Sequence, residues 1–185
     1  MDLVFLRHGQ TDWNLTGRLQ GRTDVPLNST GIEGAKLAGE ILRKYRFDAV
    51  YCSPLSRTRQ TLEYACPDAS AIYDPRLLEW SFGPYEGKTF PKDWFADRWK
   101  LGCEREIGLE LIEDVIDRAA DFYNEIKEKH ANDRILVVSH GGFSGALYAV
   151  MYGVEKGESL SKYCLPNATP VLFREGQAPI ILTEE

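Results

Sequence analysis

The chain has 185 residues, enough to bury one substantial core and too few for two ordinary domains. Hydrophobic residues make up 43% and charged residues 27%, a balance that excludes wholesale disorder. A formal net charge of −6 argues against a general nucleic-acid binder, which needs a basic surplus, but a few clustered arginines can still hold a small anion.

No run of about eighteen apolar residues occurs, so no membrane partner is expected. The opening Met1-Asp2-Leu3-Val4-Phe5-Leu6-Arg7 lacks the basic start and long apolar stretch of a signal peptide. The four cysteines are irregularly spaced without a CxxC pair, which reads as reduced thiols in a cytoplasmic protein.

Leu3 to Leu6 is a continuous apolar run, as in a strand buried on both faces. Thr30-Gly31-Ile32-Glu33 has capping-box spacing and predicts a helix to about Tyr45, with Ile32, Ala35, Leu37, Ala38, Ile41 and Leu42 as its apolar stripe. Asp48 to Ser53 reads as a strand ended by Pro54, Ser56 to Ala65 as a helix, and Ala71 to Tyr73 as a short strand. Residues 77–108 are irregular and rich in aromatics. A long helix is predicted from about Glu110 to His130, since Leu111, Val115, Ala119, Phe122 and Ile126 recur at spacings of three and four. Arg134 to Ser139 reads as another buried strand, Phe143 to Tyr152 as a helix, and Val171 to Phe173 with Pro179 to Thr183 as a terminal hairpin. Strands alternating with helices imply an α/β fold: a three-layer αβα sandwich whose sheet is mostly parallel, with one antiparallel strand.

In such sheets functional groups collect beyond the carboxyl ends of the strands. Three predicted strand ends carry polar chemistry: Arg7-His8-Gly9, Ser53-Pro54-Leu55-Ser56-Arg57 and Ser139-His140-Gly141-Gly142. Two of the three histidines thus leave the same sheet edge, attended by Arg7 and Arg57. Arginine's planar fork grips phosphate oxygens, and a neutral histidine can attack phosphorus. Neighbouring arginines disfavour imidazolium and keep the nucleophile free. The second histidine is expected to act as a charged donor, and no metal or other cofactor is required. His130, after Lys127-Glu128-Lys129, reads as a structural residue at a helix end.

Several blocks, in order, resemble the histidine phosphatase superfamily, the phosphoglycerate-mutase-like fold. They are Arg7-His8-Gly9-Gln10-Thr11 with Asn14, Gly17-Arg18-Leu19-Gln20-Gly21 with Asp24-Val25-Pro26-Leu27, Ser53 to Thr61, Leu78-Glu79-Trp80-Ser81-Phe82-Gly83, and Ser139-His140-Gly141-Gly142. The resemblance implies one such domain over residues 1–185. It implies that His8 forms a phosphohistidine, with Arg7, Arg57 and His140 on the phosphoryl oxygens and Asn14 and a backbone N–H near Gly141 as further donors. Glu79 is the implied acid, with Glu86 next in line, and Gln20 and Trp80 are candidate substrate contacts. The stretch Phe82 to Gly87 resembles the phosphatase branches, including the alpha-ribazole phosphatase group. The segment 88–108 is shorter than the basic insertion of the mutases. The expected activity is cofactor-independent hydrolysis of a small phosphorylated metabolite. A phosphoglycerate mutase and a non-catalytic phospho-ligand-binding protein are the alternatives.

Overall fold

The computed structural model describes residues 1–91, 98–100 and 108–184. Trp94, Phe95 and Cys103 of the central segment lie outside the described residues. The strands are β1 (Asp2–Arg7), β2 (Ala49–Cys52), β3 (Ile72–Tyr73), β4 (Arg134–Ser139), β5 (Pro170–Arg174) and β6 (Gln177–Ile181). They form one sheet in the order β3-β2-β4-β1-β5-β6. All neighbours pair in parallel except where β5 meets β1 and β6, so β5 alone runs against the rest.

The helices are α1 (Asp12–Leu15), α2 (Ser29–Leu42), α3 (Ser56–Ala65), α4 (Ile112–Lys129) and α5 (Gly141–Tyr152), with 3₁₀ turns at Pro75–Leu77, Gly83–Tyr85 and Leu160–Tyr163. Alternate residues of each strand point to opposite faces, and the core divides accordingly. Leu3, Phe5, Ile135, Val137 and Phe173 pack with Val115, Phe122 and Ile126 of α4 and Phe143 and Leu147 of α5. Val4, Leu6, Val50, Leu136 and Val138 pack with Ala38 and Leu42 of α2 and Leu62 and Ala65 of α3. These two cores and the sheet between them are the three layers expected.

Two local expectations are corrected. Helix α2 is capped by Asn28, whose side chain accepts from the Gly31 N–H, and it ends at Leu42. Thr30 lies inside the helix. Leu37 is 59% exposed, because the buried stripe runs through Ala35, Ala38 and Leu42 and position 37 falls on the other side.

The register fixes the functional edge. Arg7 lies opposite Ser139 and Cys52 opposite Val138, so His8, Ser53 and His140 leave three adjacent parallel strands together. The His8 N–H donates to the Ser139 carbonyl at 2.9 Å, and the Ser53 N–H donates to the Val138 carbonyl at 2.9 Å. The loop after β1 then lies against the start of α2 without intervening side chains. A Cβ on Gly31 would come within 2.0 Å of the Gln10 carbonyl oxygen, and one on Gly9 within 2.4 Å of the Gly31 oxygen. Gly31→Ala is therefore predicted to push the His8 loop outward and to lower stability by about 1–3 kcal/mol, the usual cost of overpacking. Urea denaturation checks this, and an unchanged midpoint would show that the loop yields without cost.

Candidate active site

His8 and His140 sit side by side beyond the ends of β1 and β4, with ring centroids 5.3 Å apart and an interplanar angle of 60°. Both are fully buried. The His8 Nδ1 lies 2.7 Å from the Gly9 carbonyl oxygen, which only accepts. Nδ1 therefore carries the proton, and Nε2 presents its lone pair. His140 occupies the N-cap position of α5. Its Nε2 lies 2.7 Å from the Ser53 hydroxyl, while its buried Nδ1 has no hydrogen-bond partner. Burial, then the Arg57 and Arg7 charges, hold His8 well below the usual imidazole range. The same burial, with Arg57, His8 and Arg7, does so for His140. In the protein alone these shifts favour the neutral form of both rings, the opposite direction from the charged donor expected of the second histidine.

Arg7 and Arg57 flank the pair, and part of each guanidinium is already engaged. Arg7 Nη1 donates to the Leu165 carbonyl at 2.7 Å. Arg57, wholly buried, donates from Nη1 to the Thr23 carbonyl at 2.9 Å and from Nη2 to the Gly21 carbonyl at 2.7 Å. Burial lowers Arg57 to about 10, partly offset by Glu79 and Asp24, so it remains a cation at neutral pH. The Nε atoms of both arginines are buried without partners. A buried donor left unpaired costs about 1–3 kcal/mol. Two such N–H groups beside the open His140 nitrogen suit a ligand with several acceptor oxygens.

Glu79 forms the opposite wall. Its Oε1 accepts from the Trp80 N–H at 2.9 Å and its Oε2 from the Gly142 N–H at 3.2 Å. The paired glycines at the start of α5 have separate uses. A Cβ on Gly142 would fall 2.3 Å from Glu79 Oε1, and one on Gly141 would fall 3.0 Å from Arg7 Cζ. Gly141 and Asn14 both line the pocket. Asn14 Oδ1 accepts from the Thr11 N–H at 3.1 Å, while Thr11 caps α1. Gln20 also lines the pocket and is held by the Thr11 hydroxyl at 2.9 Å.

Three sequence expectations separate here. Trp80 does not line the pocket; it packs in the core, its centroid 4.9 Å from Phe82 and 5.0 Å from Trp99, and its Nε1 donates to the Glu110 carbonyl. Phe82 and Trp99 line the pocket instead. Glu86 does not line it either: its carboxylate accepts from the N–H groups of Arg22, Thr23 and Phe82 and fastens the loop around residues 21–23. His130 lies at the other end of the sheet, between the Tyr51 hydroxyl at 2.9 Å and Asp133 at 2.8 Å.

Several supporting residues carry no sequence signal of their own. Arg118 of α4 donates to the carbonyls of Arg76, Leu78 and Glu79, clamping the segment that presents the acid. The Thr61 hydroxyl accepts from the Gly9 N–H at 2.9 Å. Asn167 Nδ2 donates to the His8 carbonyl at 2.8 Å. The pocket has a volume of about 240 Å³ and is also lined by Arg18, Ser161 and Cys164. A larger hollow of about 620 Å³ between α2 and the end of α3 holds no histidine and lies away from this chemistry. Among the described residues no three His, Cys, Asp or Glu side chains gather to hold a metal ion.

The neutral pair makes stability depend on pH. Below about pH 6.5 the unfolded chain takes up protons that folded His8 and His140 refuse. Stability present above that pH is lost as pH falls toward 5, by at most about 1.4 kcal/mol per pH unit for each histidine. Asp2, held down to about 2 chiefly by its hydrogen bond with Arg174, acts only at more acid pH. Urea midpoints between about pH 7.5 and about pH 5.5 check this, and His140→Asn should flatten the slope. An identical slope in that variant would mean that His140 is charged in the folded protein.

The family model of the histidine phosphatase superfamily (branch 1) matches residues 3–176. Phosphoserine phosphatase 1 of Hydrogenobacter thermophilus is 30% identical, the match covering 97% of this chain and 90% of that protein. An acid phosphatase of Mycobacterium tuberculosis is 35% identical over 90% of this chain and 83% of its own. The solved structure of Bacillus stearothermophilus YhfR superposes with a TM-score of 0.85 at 26% identity, covering all of this chain and 96% of that one. No described helix is long and apolar enough to cross a membrane. With two histidines, two arginines and a glutamate meeting at one sheet edge, the chain belongs to the histidine phosphatase superfamily.

Proposed function

We propose that the protein is a cofactor-independent phosphomonoesterase acting on a small phosphorylated metabolite. The observation that carries this is the His8 ring: Nδ1 is fixed on the Gly9 carbonyl, which leaves Nε2 as the lone-pair nitrogen in a pocket shared with Arg7 and Arg57, whose buried Nε atoms have no partner. His8 Nε2 attacks phosphorus, the P–N bond forms, and the ester P–O bond breaks. Glu79 gives its proton to the departing alkoxide oxygen. Water then attacks the phosphohistidine, the P–N bond breaks, and the water's proton passes to Glu79. Splitting one slow hydrolysis into two transfers lowers both barriers.

Arg7, Arg57 and His140 hold the phosphoryl oxygens, helped by Asn14 and the Gly141 N–H at the start of α5. The Ser53 hydroxyl lets His140 turn an Nδ1–H toward the phosphoryl group as a neutral donor. A bound phosphate dianion offsets the charges of Arg7 and Arg57 and so removes part of what disfavours the protonated form of His140. Similarity to proteins named phosphoserine phosphatase and acid phosphatase supports hydrolysis and makes phosphoserine the first substrate to try. The pocket, about 240 Å³, is small and suits a phosphoryl group with a short leaving group. A mutase reading has less support, because the segment between Lys88 and Gly108 is too short for a long basic insertion.

His8→Ala is expected to abolish both turnover and acid-labile phosphate labelling; labelling that persists would identify another nucleophile. Glu79→Gln should slow alkyl phosphates by about 10²–10⁴ and 4-nitrophenyl phosphate far less, since a good leaving group needs little protonation. Equal losses on both esters would remove Glu79 from the acid role. Activity should survive a chelator, and 3-phosphoglycerate should yield inorganic phosphate in place of an isomer.

A further inference from the structure

The pocket carries three arginines, and they differ. Arg7 and Arg57 lie on its floor, with nitrogens engaged by backbone carbonyls. Arg18 lines the rim, is exposed, and makes no hydrogen bond or ion pair through its side chain among the described residues. Its backbone is nonetheless anchored. The Arg18 N–H donates to the Trp13 carbonyl at 2.8 Å, and Arg18 bridges antiparallel to Thr89. On the next residue, the Leu19 N–H donates to the Lys88 carbonyl at 2.9 Å, while the Leu19 carbonyl accepts from the Gly87 N–H at 2.8 Å.

A third cation facing a pocket that already holds two raises the cost of closing the pocket on a neutral leaving group. Nothing in the lining neutralises it. The one carboxylate among the lining residues described, Glu79, is occupied by the Trp80 and Gly142 N–H groups. The Gln20 Oε1 accepts from the Thr11 hydroxyl, and the Ser161 hydroxyl pairs with Ser159 at 2.8 Å. Arg7, Arg57 and Arg18 line the same small pocket, so a short leaving group on a phosphoryl group held there shares that pocket with Arg18. The guanidinium fork matches a carboxylate in pairs of hydrogen bonds.

We propose that Arg18 forms a second anion subsite that takes a carboxylate on the leaving group, so that the preferred substrates are phosphate esters of short hydroxy acids. This rests on the phosphomonoesterase reading above and adds the residue that selects among esters.

The test compares 3-phosphoglycerate with glycerol 3-phosphate, which share a carbon skeleton and differ by carboxylate against hydroxymethyl. Arg18→Ala should lower kcat/KM for the carboxylate ester about tenfold more than for the neutral one, mostly through KM. Arg18→Lys should keep part of the preference, and Arg18→Glu should reverse it, which lost packing alone cannot do. Equal effects on both esters in the Ala and Glu variants would overturn the subsite. A second pair, propane-1,3-diol bisphosphate and its monophosphate, separates carboxylate from phosphate recognition. A larger Arg18 effect on that pair would overturn the carboxylate assignment. Wild-type turnover of 4-nitrophenyl phosphate separates the two readings: activity there without an Arg18-dependent preference sinks only the subsite. No turnover of any ester sinks the phosphatase reading and the subsite with it.

Discussion

Two imidazoles and two guanidiniums share a space from which most water is excluded, and the rest of the structure accommodates that grouping. Burying cations together is unfavourable unless their N–H groups find acceptors. The fold supplies backbone carbonyls, from Leu165 for Arg7 and from Gly21 and Thr23 for Arg57, and leaves the Nε of each buried without a partner. Carboxylates in those places would neutralise the cradle and compete with a phosphoryl group. Carbonyl dipoles hold the side chains while preserving their charge. Burial first, and then the charges of Arg57 and Arg7, favour the neutral forms of His8 and His140, and neutrality is what a nitrogen nucleophile requires.

Close approach is the second device. Gly9 against Gly31, Gly141 against Arg7 and Gly142 against Glu79 each replace a side chain with contact between backbone and neighbour. Rigidity comes from outside the pocket. Arg118 collects the carbonyls of Arg76, Leu78 and Glu79, and Glu86 organises the loop that receives Arg57. These residues touch no reacting atom, yet the acid and the cradle keep their spacing only because of them.

Much of this was legible in the chain. Strand β4 and helix α3 have the bounds that their apolar runs and flanking breakers indicate; Arg7, His8 and His140 stand at strand ends and Arg57 in the first turn of the helix that follows β2, as the α/β rule leads one to expect. What escaped had physical reasons. Helix α1 is four residues long, too short for any period, and is held by a reciprocal Thr11–Asn14 cap. The aromatic stretch after Glu79 has no regular repeat, so nothing in it separates Trp80, which is buried, from Phe82 and Trp99, which face the pocket. Arg118 reaches Glu110 and three backbone carbonyls, and carbonyls, which every residue owns, mark no position in the sequence. Ser53 is plainly a polar strand end, but its partner His140 is 87 positions away.

The reversed strand β5 has a consequence for how the protein is made. The segment leading into it supplies the Leu165 carbonyl to Arg7, 158 residues earlier, and the Asn167 amide to the His8 carbonyl, 159 residues earlier. Both contacts join the first strand to nearly the last. A growing chain that already contains His8 cannot clamp it until the segment 158–159 residues further on has also been made. Chemical competence thus arrives late and all at once, with the closing of very long loops.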